Sequence, residues 1–172
     1  MAQPADTSLD EVRRELAAKP DGVLEALAEK HRVSYAAVLG CLEPAARRMA
    51  AGEHFETIWA DLATWGPVTF VVHTRDGVFE TKAPIPPGTM GRGYFNIHGE
   101  SPLGGHLRAE RCATIYFVDR LFFGRRSCSV QFVNIDGEAM FKVFVGRGED
   151  REMFPDQLHR FEALRERHSH GE

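Results

Sequence analysis

At Gly66-Pro67 the hydrophobic rhythm of the chain changes, and that change limits the folds open to it. Before it, in "EHFETIWADLATWG", Phe55, Ile58, Trp59, Leu62 and Trp65 recur every three or four residues, the spacing of one helix face, and Gly66-Pro67 ends the helix. After it the period is two. "VTFVVHTRDGVFETKAP" reads as a hairpin around Asp76-Gly77, a pair that tolerates positive φ. "IPPGTMGRG" reads as an irregular loop and "GYFNIHG" as a short strand. "GHLRAERCATIYFVDR" and "SCSVQFVNIDGEAMFKVFVGR", with its Asp136-Gly137 turn, supply the rest of an antiparallel sheet. "FPDQLHRFEALRERHSH" returns to helical spacing, with Leu158, Phe161 and Leu164 inward. Runs of strands flanked by helices, without strict alternation, predict an α+β fold with a largely antiparallel sheet.

The first third is helical in pattern. Ser8 and Glu11 form a capping box ahead of Val12 and Leu16, and Pro20 stops that helix. A second carries Val23, Leu24, Leu27 and Ala28 on one stripe, and a third is capped by Ser34 and ends before Pro44. The expected organisation is an N-terminal bundle of short helices over residues 1–52, an α+β domain over 53–168, and a disordered tail over 169–172. Three short helices imitate a DNA-binding helix-turn-helix. The body of the would-be reading helix, "YAAVLGCL", holds no arginine, lysine, asparagine or glutamine for bases or phosphates, and the formal charge is −4. Nucleic acid is therefore not an expected partner.

The 172 residues, 43% apolar and 27% charged, suit one globular domain with a real core. No run approaches the roughly 18 apolar residues of a membrane helix, and "MAQPADTSLDEVRR" lacks a basic start followed by an apolar stretch, so a cytoplasmic protein without a membrane partner is expected. Cys41, Cys112 and Cys128 are odd in number and form no CxxC pair, which favours buried free thiols over disulfides or a zinc knuckle.

Strand parity groups the polar residues. His73 and Arg75 share a face in "FVVHTRD", Tyr94, Asn96 and His98 in "GYFNIHG", and His106, Arg108 and Glu110 in "GHLRAE". Taken singly, each is a plausible hydrated surface residue; together they make either a solvent face or a binding face. The standard catalytic signatures are missing: no G-x-S-x-G elbow, P-loop, HExxH, or G-x-G-x-x-G after a strand. The terminal "HSHGE" reads as a frayed end.

From about Phe55 to Leu164 the chain resembles the cytosolic haem-utilisation carriers of the HutX/ChuX/HugX group. The resemblance rests on the order of "FETIWADLATWGPVTFVVHT", "GYFNIHG", "GHLRAE", "LFFGRRSCSVQFVN" and "MFKVFVGR", and the N-terminal helices are similar to that group's extension. Phe123 of "FFGR" stands where the family pattern has methionine, a change of similar volume. The resemblance implies one half of the duplicated HemS/ChuS fold, assembled as a homodimer that binds haem and passes it to a haem-degrading enzyme. It implies His73, Tyr94 and His106 as iron-ligand positions; His98 lies outside that pattern and is a weaker candidate only because strand parity puts it on the face of Tyr94. Arg75, Arg92 and Arg108 are the nearest cations for the propionates or for stabilising a phenolate. "SCSVQFVN" and "MFKVFVG" are apolar enough to bury a sheet against a partner. An alternative is a haem-degrading oxygenase of the HemS/ChuS kind. A third is a regulatory or docking module whose helices, Leu9 to Leu42, engage a partner. Which of Tyr94, His73 and His106 touches iron is left open by the sequence.

Overall fold

The period-two segments pair into two antiparallel sheets, not one. The structure, a computed structural model, describes residues 4–168. Its elements run α1 (Pro4–Ala18), α2 (Leu24–His31), α3 (Tyr35–Gly40), β1 (Arg47–Ala51), α4 (Phe55–Leu62), β2 (Pro67–Thr74), β3 (Gly77–Pro84), β4 (Gly88–Gly91), β5 (Tyr94–Ile97), β6 (Gly105–Leu107), β7 (Cys112–Phe122), β8 (Arg125–Asn134), β9 (Ala139–Phe144) and α5 (Pro155–His168). A six-stranded sheet has the order β1-β7-β8-β9-β2-β3, and a three-stranded sheet the order β4-β5-β6. The fold is α+β, as the change of period predicts.

Alternation gives the large sheet two apolar faces. On the first, Ile115, Phe117, Val130, Phe132, Phe141, Val143, Val68 and Phe70 are covered by α4, by α5 through Phe161 and Leu164, and by Phe95, Ile97 and Leu107 of the small sheet. Phe132 and Phe141 stack at 4.4 Å between centroids, with Phe55 edge-on to both. On the second face, Tyr116, Val118 and Val133 meet Val12, Leu16, Leu24, Tyr35, Val38 and Leu39 of the N-terminal helices. The Ser34 Oγ caps α3 by accepting from the Ala37 amide at 3.2 Å. The Ala36 amide donates to the Gly137 carbonyl at 2.9 Å, tying α3 to the β8–β9 turn.

Several expectations are corrected. Helix α1 already runs at Ser8, which is therefore inside it and not its cap. Arg47–Ala51, expected within the helical extension, is an edge strand paired with β7. "GTMG", expected as loop, is β4. "GHLRAERCATIYFVDR" is broken by a 3-10 turn at Ala109–Arg111, so β6 and β7 belong to different sheets and Glu110 is not on a strand face. Thr74 pairs with Gly77, which places Arg75 in the turn with Asp76, one position earlier than expected. The segments expected to face a partner, in β8 and β9, lie in the interior of the sheet and are largely buried within one chain. Phe123 is 68% exposed at the β7–β8 turn, with φ 47°, so it fills no core. Residues 169–172, expected as a disordered tail and including most of "HSHGE", lie outside the described residues.

Candidate functional site

The small sheet is a plug with one wet face. Its β4–β5 turn, Arg92-Gly93, has φ of 53° and 80°, the paired positive values of a two-residue turn whose twist matches the strands. Phe95 points inward and is edge-on to Phe55 at 5.2 Å and to Trp59 at 5.3 Å. The Trp59 Nε1–H donates to the Pro86 carbonyl at 2.8 Å and fixes the lead-in to β4. Gly88 lies under the Phe95 ring, where a Cβ would stand 2.3 Å from a ring carbon. With Phe95 and Ile97 anchored inward, period two puts Tyr94 and Asn96 outward.

Asn96 is paired across the sheet with Thr89 on one side and His106 on the other. Its Nδ2 donates to the carbonyls of Thr89 (3.3 Å), Gly91 (3.0 Å) and Tyr94 (3.1 Å), and its Oδ1 lies 2.7 Å from the His106 Nδ1. The Tyr94 and His106 rings are 6.2 Å apart and inclined at 70°. The Arg108 Cζ lies 5.8 Å from the Tyr94 ring centroid. A hydrogen bond to Tyr94, and then the attraction of its oxygen, hold the Arg108 guanidinium above its ordinary value. The His98 Nε2 is 2.8 Å from the Thr89 Oγ1. Tyr94 is 37% exposed, so a phenol, two imidazoles and a guanidinium share one open surface.

His73 is elsewhere. Val72 beside it packs toward the first face of the large sheet, so His73 projects from the second, under α2. Its Nδ1 lies 3.2 Å from the Glu25 Oε1, and the buried Lys142 ammonium pairs with the same carboxylate. Burial pulls the Lys142 ammonium below its ordinary value despite that partner. The ammonium also lies 4.5 Å from the Tyr35 ring centroid, and the Tyr35 hydroxyl donates to the Gln131 Oε1 at 2.6 Å. Burial pushes the Tyr35 phenol well up. These groups line a cleft of about 310 Å³ with Val118 and Phe122. The structure thus gathers Tyr94, His98, His106 and Arg108 on the outer side of the small sheet, with Arg92 in the adjoining turn. It does not bring His73 or Arg75 to them within one chain. Sequence reasoning overlooked Asn96 as a site residue, although an asparagine inside a strand is disfavoured and is a signal in itself. It also overlooked Glu25 and Lys142, whose meeting depends on how α2 docks.

Other chemistry is poorly supplied. Burial pushes the Cys112 and Cys128 thiols up to about 12, which keeps them protonated. Among the described residues no three histidine, cysteine, aspartate or glutamate side chains are grouped to hold a metal ion.

A large antiparallel sheet carrying a small one beside α4 and α5 on one face, and the N-terminal helices on the other, defines a half-unit of the duplicated HemS/ChuS-type fold. ChuS, an E. coli heme oxygenase, matches over 89% of this chain but 47% of its own, with a TM-score of 0.70 at 16% identity, which shows the fold alone. More narrowly, the chain belongs to the Haem utilisation ChuX/HutX family, whose model matches residues 48–164. It is 35% identical to the intracellular heme transport protein HutX of Vibrio cholerae over 159 residues, 92% of this chain and 82% of that one. A crystal structure of a protein from Agrobacterium tumefaciens matches with a TM-score of 0.89 at 42% identity, covering 96% of this chain and 94% of its own. The heme-binding protein ChuX matches with a TM-score of 0.82 at 33% identity, over 91% and 97%.

Proposed function

We propose that this protein is a cytoplasmic haem carrier that takes up haem and delivers it to a haem-degrading enzyme, working as a homodimer. One observation carries the reading: Tyr94, His106 and Arg108 converge on the open face of a sheet whose other side is locked into the core. The relatives support it, since HutX is named a heme transport protein and ChuX a heme-binding protein. Phenolate suits ferric iron, and the Arg108 guanidinium stands beside Tyr94, its Cζ 5.8 Å from the ring centroid. Tyr94 and His106 stand on the same side of the small sheet. One chain therefore offers a haem one of them as direct ligand and the other as a neighbour, never both as opposed axial ligands. The far side of the macrocycle stays reachable for an acceptor, as transfer requires.

Titration with hemin should give a saturable Soret shift at one equivalent per chain. Tyr94→Phe or His106→Ala should weaken or move it, the true ligand losing more than the about 10–100-fold typical of supporting residues. The absence of any shift at stoichiometric protein would sink the reading. With reductant and catalase under air, the carrier keeps its Soret band, whereas an oxygenase of the ChuS kind bleaches it.

A further inference from the structure

We propose that Asn96 is a positioning residue that holds His106 in its Nδ1–H tautomer and so leaves Nε2 as the bare, lone-pair nitrogen offered to the ligand. The inference rests on the haem-carrier reading for its purpose but not for its geometry.

The amide of Asn96 has one orientation only. Three backbone carbonyl oxygens, of Thr89, Gly91 and Tyr94, surround one end of it at 3.0–3.3 Å. Carbonyl oxygens accept and cannot donate, so the end that faces them is the amino group. Turning the amide over would set its own oxygen against three others. Its Oδ1 therefore points at His106, 2.7 Å from Nδ1, and an amide oxygen is purely an acceptor. The proton of that bond must sit on the imidazole Nδ1. In the neutral ring Nε2 is then unprotonated, the form that binds a metal or accepts a proton from a phenol. Nothing similar fixes His98, because its partner is the Thr89 hydroxyl, which both donates and accepts.

The placement has an energetic reason. Asparagine is depleted from strand interiors, and Asn96 is in the central strand of the small sheet, paired on both sides. Its side-chain hydrogen bonds go to the β4–β5 hairpin and to one imidazole. The hairpin is the frame and His106 the group it orients. The same amide that closes the hairpin around Arg92-Gly93 thus sets the protonation pattern of the neighbouring strand.

The test uses the full chain without haem, 15N-labelled, at a pH where imidazole is neutral, and reads the two ring nitrogens of His106 through their two-bond proton couplings. Wild type should show a protonated Nδ1 and a bare Nε2. Asn96→Leu should shift His106 toward the Nε2–H form and lower hemin affinity about 10–100-fold. Asn96→Asp keeps an acceptor for Nδ1–H but loses the amino group, so it should restore the tautomer while the hairpin loosens. A wild-type His106 carrying its proton on Nε2, or a tautomer indifferent to Asn96→Leu, overturns the proposal. If Asn96→Leu fails to fold, the wild-type and Asn96→Asp spectra decide alone. Failure of wild type to bind hemin would remove the carrier reading and leave the tautomer result standing.

Discussion

Two residues set the geometry of the candidate face from beneath. Phe95 is the fully buried anchor of the small sheet, held edge-on between Phe55 and Trp59. Replacing it with alanine should cost about 3–5 kcal/mol and, because Tyr94 and Asn96 flank it in β5, should abolish the hemin signal together with the fold. Gly88→Ala is the more discriminating change. A Cβ there meets the Phe95 ring at 2.3 Å, so the ring or the strand must move, at a cost of about 1–3 kcal/mol. Urea unfolding should show a lower midpoint with an unchanged slope; an unaffected midpoint would mean that the ring is not fixed over the glycine. On β7, Asp119 is gripped by Arg126 through both oxygens, at 2.9 and 2.7 Å, and the Arg126 hydrogen bond holds its carboxyl below the ordinary value. The folded chain therefore takes up that proton less readily than the unfolded chain. The stabilisation is present above the unfolded value of about 4 and is lost as pH falls through the lower folded value. Wild type should keep its advantage over Asp119→Asn down to about pH 4 and lose it as the pH is lowered further, and parallel pH profiles of the two would refute the assignment.

At the scale of elements, the N-terminal helices are less separable than their pattern suggests. They cover Tyr116, Val118 and Val133 of the large sheet, and Glu25 of α2 is the partner of the buried Lys142. Deleting residues 1–42 should give a chain that binds a hydrophobic dye and aggregates; a monomeric, cooperatively folding product would show them to be a mere appendage. Glu25→Gln tests the clamp alone, with an expected loss on the order of 3 kcal/mol from leaving an ammonium without its carboxylate. Much of this level was legible beforehand. The helical spacing of Phe55, Ile58, Trp59 and Leu62 gave α4, Ser34 is the cap it was read to be, and parity correctly opposed Phe95 to Tyr94. The failures have physical causes. Arg47–Ala51 is five residues at a sheet edge with its two arginines side by side, and "GTMG" is two glycines around two side chains, so neither offers a period to read. Period two also says that a segment is a strand without saying which sheet receives it. That is why "GHLRAERCATIYFVDR" reads as one run although β6 and β7 lie in different sheets.

The division between His73 and Tyr94 shapes the whole molecule. His73 is on the face of the large sheet covered by the N-terminal helices, and the small sheet bearing Tyr94 lies across the other face, beside α4 and α5. The buried aromatic core and the large sheet itself stand between them, so a haem held by Tyr94 or His106 of a single chain does not also meet His73 of that chain. If both contribute to one site, two copies must supply them. A free surface for association is present: β3 is an unpaired sheet edge, with Val78 52% and Phe79 69% exposed. A double-mutant cycle of His73→Ala and Tyr94→Phe on hemin affinity separates the cases when run beside sedimentation. Where the protein is monomeric, the two losses should add to within about 0.5 kcal/mol, as they do for distant sites. Coupling that grows with protein concentration, and falls when Phe79→Glu disrupts association, would assign His73 to the site of a second chain. Strong coupling in the monomer would instead require the two residues to meet through a rearrangement of the large sheet, for which its buried aromatic core leaves no room.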